Sequence, residues 1–144
     1  MPSLSTSCGW LAAFLIVATA SVPLLHRLIA QRRAAPDSRV TQVHVALGLA
    51  TAAMAMLHTL VILPSLGSPA AVGGGSLALG PGALAVFLLM AHVGVGLQLR
   101  SPRLKDRAKK RRLHVLLALG IALAAAAHVV AVRRAGGASA EQGP

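Results

Sequence analysis

Four apolar runs, each about twenty residues long, constrain this chain more than any other feature. They lie near residues 8–28, 40–63, 82–99 and 112–132. A helix rises about 1.5 Å per residue, so about 20 apolar residues cross the hydrocarbon core of a bilayer. In that medium backbone N–H and C=O groups have no water to bond, and a helix satisfies them within the segment. Hydrophobic residues make up 56% of the 144 and charged residues 12%, where an ordinary soluble domain carries about 25% charge. Mean hydropathy is +0.72. The expectation is an all-α integral membrane protein, a single four-helix bundle over residues 1–134 with a disordered tail at 135–144. Beside four spans, these residues leave no room for a soluble flavin, nucleotide or peptidase domain.

The charge pattern orients the bundle. Of the 14 Lys and Arg, four fall between Arg27 and Arg39, eight between Arg100 and Arg112, and the last two are Arg133 and Arg134. A net charge of +11 would suggest nucleic acid on a soluble chain. Here the basic residues flank apolar runs, without aromatic interleaving and without any Tyr. They read as cytoplasmic loop markers, and nucleic acid is not an expected partner. No basic residue precedes the first run, so it reads as a retained span with its N-terminus outside. Trp10 is placed as an interfacial anchor at the outer end of that span, and Pro23 is expected to loosen its last turns. Asp37 or Ser38 is placed to cap the second helix, which ends at Pro64. The uncharged stretch PSLGSPAAVGGGSLALGPG, from Pro64 to Gly82, reads as an outer loop. Both termini then lie outside, spans two and four run in the same direction, and Arg133 and Arg134 are the basic minority on the outer side. Heavy use of Ala, Gly and Arg points to a GC-rich bacterial genome, and hence to a bacterial cytoplasmic membrane.

Cys8 is the only cysteine. That excludes a disulfide framework, a cysteine-based metal site and covalent haem attachment through a paired-cysteine motif. The histidines carry more. His44 to His58 reads HVALGLATAAMAMLH, and His114 to His128 reads HVLLALGIALAAAAH, offset by 70 with seven of fifteen positions identical. An ionisable residue inside a bilayer is costly and points to function. Fourteen residues are two heptads, so both histidines of a helix face the same neighbour, about 21 Å apart in depth. On parallel helices His44 is level with His114 near the cytoplasmic side, and His58 with His128 near the outer side.

Two imidazoles facing each other across a bundle suit a haem, with one axial nitrogen from each side. His44 and His114 are therefore expected to hold an inner haem iron, and His58 and His128 an outer one. That gives two b haems, with one per chain as the lesser stoichiometry. Gly48, Ala52 and Ala55 on span two, and Ala118, Ala122 and Ala125 on span four, leave room for a flat macrocycle or for close helix packing. Zn or Cu fits less well, because the two levels are too far apart for one ion and no Asp or Glu lies in the spans. The rival reading is a cofactor-free membrane subunit or small transporter whose histidines are interhelical glue or a proton relay.

Other residues are read more plainly. His26 is an interface residue. His92 either packs between helices, replaces an inner ligand, binds a quinone head group or hydrogen-bonds a propionate. Met54, Met56 and Met90 read as packing side chains. Gly94 and Gly96 would let a neighbouring helix approach closely. The run Arg103 to Arg112 is a topology determinant and lipid head-group contact. Within it Arg111 or Arg112 is a candidate partner for haem propionates, and the rest could dock an acidic electron donor.

The pattern RRLH, thirteen residues, then H resembles the ferric-reductase-like transmembrane domain and related di-haem membrane cytochromes b. The resemblance covers spans two to four and matches His44, His58, His114 and His128 to ligand positions. It implies two b haems held by two helices, each with two histidines. It departs from the family in lacking a flavin and nicotinamide domain within these residues, in its few aromatics and in having fewer spans than many members. Iron with two imidazoles has no open position, so the expectation is an electron-transfer subunit rather than a stand-alone enzyme. Its partners would be the lipid bilayer and a redox protein or quinone.

Overall fold

The computed structural model describes the backbone of residues 4–65, 75–101 and 103–141, and the side chains of 4–64, 79–101 and 103–135. It contains α1 (Leu4–Ala30), α2 (Arg39–Ile62), α3 (Gly75–Leu99) and α4 (Arg107–Glu141), with one 3₁₀ turn at Leu63–Ser65. No strand occurs among the described residues. All four helices contain stretches long and apolar enough to cross a bilayer, with mean hydropathy between 1.9 and 2.5. The protein is a multi-pass membrane protein with lipid as its surrounding medium.

Its outer surface fits that medium. Phe14, Phe87, Leu123 and Ile29 are 66%, 71%, 74% and 82% exposed, which in water would be a severe liability and in lipid is the expected face. Met56 and Met90 face outward with them. The buried set is small: Cys8, Ala12, Thr19, Thr51, Leu89, Val95, Ile121 and Ala124.

Packing follows chain order. α1 packs along α2 and α3 along α4, so the molecule is two helical hairpins. α2 also meets α3, α1 meets α4 lightly, and the diagonal pair α2 and α4 stays beyond 8 Å at every described Cα pair. Ordinary packed helices sit about 8–10 Å apart axis to axis and bring many Cα atoms closer than that. α2 and α4 thus face each other across the bundle centre. The close packing allowed for between spans two and four does not occur, and Ala122 is exposed while its neighbours Ile121 and Ala124 are buried.

Several ends differ from the sequence reading. Ser38 is the α2 cap, with extended backbone and its side chain accepting from the Thr41 N–H at 3.4 Å. α1 passes through Pro23 and continues to Ala30. α3 begins at Gly75 and includes Pro81, so the last part of the expected outer loop is helical. In lipid the cost of unbonded backbone outweighs weak propensity, and Gly and Pro are tolerated in helices there. The backbone of residues 135–141, expected as tail, continues α4. Residues 66–74 of the expected loop and 142–144 of the expected tail lie outside the described residues.

The α3–α4 connection is held by Arg107. Its guanidinium donates to the Leu99 carbonyl at 2.9 Å and the Ser101 carbonyl at 2.6 Å, covering acceptors that the end of α3 leaves open. Asp106 takes a positive φ of 57° just before α4 begins, and its carbonyl accepts from Lys110 N–H at 3.1 Å. At the opposite end of the bundle the Arg133 guanidinium lies 5.2 Å from the ring centre of Trp10. That cation–π contact joins α4 to α1 and gives one of the two outlying arginines a partner.

Candidate functional site: paired histidines across the bundle

The four histidines of the two repeated segments meet in the expected pairs. His44 and His114 have ring centres 6.2 Å apart at the basic end. His58 and His128 are 6.4 Å apart at the other end. α2 and α4 therefore run parallel, as the topology required. The two rings of each pair are nearly perpendicular, at 80° and 70°. The levels are two heptads apart, about 21 Å along a helix.

What orients each ring was not visible in the histidine pattern. His44 Nδ1 donates to the Thr19 carbonyl at 2.9 Å, and His58 Nδ1 donates to the Ser5 carbonyl at 2.9 Å. A carbonyl can only accept, so both rings carry their proton on Nδ1 and keep the Nε2 lone pair. The two acceptors are themselves fourteen residues apart on α1. Thr19 is available for a specific reason. Pro23 has no N–H, so the carbonyl four residues before it is released from the helical ladder. The proline expected to loosen α1 instead frees the acceptor that seats His44.

Glycines complete the seats. A Cβ on Gly9 would come 3.0 Å from His58 Cε1, on Gly82 2.9 Å from His128 Nδ1, and on Gly96 3.1 Å from His114 Cε1. Only a residue without a side chain lets these rings lie flat on the neighbouring backbone. Gly82 and Gly96 repeat the spacing of fourteen, a signal that could have identified both from sequence. Gly94 plays no such part, since a Cβ there meets nothing within 4 Å.

Between the two levels the interior is closed by side chains. Thr51 and Ile121 sit midway between the histidines of their helices and are 3% and 4% exposed. Thr51 shares a 3.1 Å hydroxyl–hydroxyl hydrogen bond with Thr19, while its own hydroxyl reaches the Leu47 carbonyl at 2.8 Å. The offset of 70 between α2 and α4 holds here as well, with Thr51 corresponding to Ile121, while α1 and α3 repeat at 73, as Gly9 beneath His58 and Gly82 beneath His128 show.

His92 joins the basic-end pair. Its ring stacks on His114 at 3.7 Å and 16°, and its Nδ1 donates to the His114 carbonyl at 3.0 Å. Among the described residues His114 Nδ1 is buried without a well-formed hydrogen bond, with the His92 backbone bearing on its ring. His26 lies on α1, partly exposed, in its last two turns.

These distances test the donor set. Imidazole nitrogen binds a metal at about 2.0 Å, and the ring centre lies about 1 Å beyond, so two trans imidazoles have centres roughly 6 Å apart. Both pairs meet that separation. Ligating histidines characteristically donate their other ring N–H to a carbonyl, as His44 and His58 do. Among the described residues no three His, Cys, Asp or Glu side chains converge as a group that could hold a metal ion. Two-imidazole levels suit a metal that brings its remaining donors with it, which a haem iron does.

Comparison with known proteins adds no relative: no family model, no curated protein and no solved structure matches the chain.

Proposed function

We propose that this protein is a membrane b-type cytochrome that holds two haems between α2 and α4 and relays electrons across the bilayer. One observation carries the reading: at both levels two imidazoles face each other with ring centres 6.2 and 6.4 Å apart. His44 and His114 would hold one haem, and His58 and His128 the other. Haem b, when bound, supplies reversible one-electron chemistry.

The chain's own residues do the rest. Thr19 and Ser5 carbonyls fix the proton of His44 and His58 on Nδ1, so the ligand nitrogen is presented already deprotonated. Gly9, Gly82 and Gly96 let the rings lie against α1 and α3. Thr51 and Ile121 place buried side chains at the height midway between the two levels. An iron held by both imidazoles of a pair would have no open position, so substrate chemistry would belong to partners, which fits a subunit rather than a stand-alone enzyme.

The twelve basic residues at the end of the bundle that carries the α1–α2 and α3–α4 connections support a cytoplasmic position for that end, with both termini outside. In a bacterial inner membrane the basic end would meet a soluble electron carrier with an acidic docking face, or a quinone at the lipid boundary. Arg111 and Arg112, exposed at the start of the α4 span, are suitably placed at that level for propionates.

Purified protein in detergent tests the reading. Reduced-minus-oxidised spectra should show Soret and α bands of haem b. His58→Ala or His128→Ala should remove one haem and leave the other, as should His44→Ala or His114→Ala. Protein without a reducible Soret band is a cofactor-free membrane subunit, and loss of neither haem in these variants refutes the ligand assignment.

A further inference from the structure

The turn between α3 and α4 gathers cations that the paired histidines do not use. Arg107 is spent on the backbone, its guanidinium donating to the Leu99 and Ser101 carbonyls at 2.9 and 2.6 Å, which ties the turn to the end of α3. Asp106, at a φ of 57°, accepts the Lys110 N–H at 3.1 Å through its carbonyl and starts α4. Beside this tied turn lies a recess of about 330 Å³ lined by Lys105, Asp106, Lys109, Lys110 and Leu113. Among the described residues none of the three lysines has an ion-pair partner. The recess therefore presents three ammonium groups against one carboxylate, a net charge of +2, on a frame fixed by backbone hydrogen bonds.

A second recess lies on the same face of α4. Alternating steps of four and three residues lead from Lys109 to Leu113, Leu116, Gly120, Leu123 and Ala127, and such steps keep to one side of a helix. Leu113, Leu116 and Leu123 are 42%, 64% and 74% exposed, so the stripe faces lipid. Its far half opens into an apolar groove of about 470 Å³ between α3 and α4, running from Leu88 and Gly120 to Gly80 and Ala127. Gly120 hollows the near end, where a Cβ would come 3.1 Å from Leu88 Cδ1. From Leu113 to Gly120 is about 10 Å along the helix axis. One leaflet supplies roughly 15 Å of hydrocarbon, half of the bilayer core, so a lipid chain that starts at Leu113 reaches the groove.

We propose that this face of α4 is a binding site for an anionic phospholipid with two phosphodiester groups. Its phosphates rest on Lys105, Lys109 and Lys110, and an acyl chain follows the stripe into the groove at Gly120. The two ends of the site call for the two ends of one molecule. A head group of charge −2 balances the recess, and lysines one turn before the first lipid-facing leucine sit at phosphate depth with their stems on apolar surface. A soluble acidic protein would satisfy the lysines and leave the groove, which lies within the hydrocarbon, unaddressed. None of the paired histidines lines either recess, so the site does not rest on the haem reading.

The test is a thermal-unfolding titration of the full chain in detergent with cardiolipin, phosphatidylglycerol or phosphatidylcholine. Tm should rise at the lowest lipid level with cardiolipin, at a higher level with phosphatidylglycerol, and not with phosphatidylcholine. A lysine at a membrane surface is worth about 5-fold in lipid affinity, so Lys109→Gln together with Lys110→Gln should weaken the cardiolipin response about 30-fold. Arg32→Gln together with Arg33→Gln removes the same charge from the other turn at this end and should leave the response close to wild type. Asp106→Asn, which keeps a residue suited to positive φ, should strengthen it. Cardiolipin with chains too short to reach Gly120 should stabilise less than the full-length lipid. An equal response to the three lipids, an equal loss in the lysine and arginine variants, or no dependence on chain length overturns the proposal. Lysine-dependent binding of a polyglutamate peptide without any lipid preference also overturns it and makes the recess a protein-docking face.

Discussion

Gly82→Ala is the sharpest perturbation the seats allow. The added carbon would lie 2.9, 3.0 and 3.2 Å from Nδ1, Cε1 and Cγ of His128. Favourable carbon contacts begin near 3.5 Å, so the ring or the α3 backbone must yield by about half an ångström. A free side chain could swing away, but on the proposed haem reading His128 would be held at both ends and could not, and site geometry tolerates only about 0.5 Å. Overpacking of this kind costs about 1–3 kcal/mol, which predicts a loss of roughly 5- to 150-fold in affinity for the outer haem. Gly94→Ala is the control on the same helix. Its Cβ meets nothing within 4 Å, and Ala is favoured over Gly in a helix interior by about 1 kcal/mol. The assay is the pyridine haemochrome ratio of each purified variant across a haem titration. Gly82→Ala should fall toward one haem per chain at haem levels that saturate wild type, while Gly94→Ala should match wild type. Equal haem affinity in the two variants would refute the argument that Gly82 exists to seat His128.

Other consequences follow from single contacts. Pro23→Ala restores an N–H that competes for the Thr19 carbonyl, so the inner haem should bind up to about 10-fold more weakly, the low end for loss of an orienting partner, as read by haem retention during dialysis; unchanged retention counts against the released-carbonyl argument. Thr51→Val removes the hydroxyl pair with Thr19 and should destabilise the bundle by about 0.5–1 kcal/mol in detergent-titration unfolding, with a larger loss signalling a further role. Ile121→Ala opens a cavity at one of the most buried positions and should cost about 2–4 kcal/mol by the same measurement. Arg133→Gln loses the cation–π contact with Trp10 and should cost about 0.5–1 kcal/mol without changing haem content.

The fold was legible because lipid leaves few choices. Apolar length gave the four spans, and their up-and-down order gave the parallel arrangement of α2 and α4. The spacing of His44 and His58, and its echo at His114 and His128, gave the pairing across the bundle. What orients the rings was harder to see. Thr19 and Ser5 act through backbone carbonyls, which carry no residue signature, and only the proline four residues after Thr19 marks one of them. Gly82 sat within a stretch that looked like a loop, because its Gly and Pro content suits turns in water but is tolerated in membrane helices. The helix starts at Gly75 and Arg107 were missed for the same reason or because charge masked helical propensity. His92 was open from sequence alone, since nothing in it shows which residue of α4 lies opposite; the structure places it on His114.

The claim that the two pairs are haem ligands is tested most directly by EPR of the oxidised protein combined with a haem count. If iron were bound by these pairs, imidazole planes crossed at 80° and 70° would give strongly anisotropic low-spin signals. The account predicts two such signals and a ratio near two haems per chain, one signal disappearing with His58→Ala and the other with His44→Ala. A high-spin signal, which would require an open axial position, or protein that binds no haem at all, would contradict it.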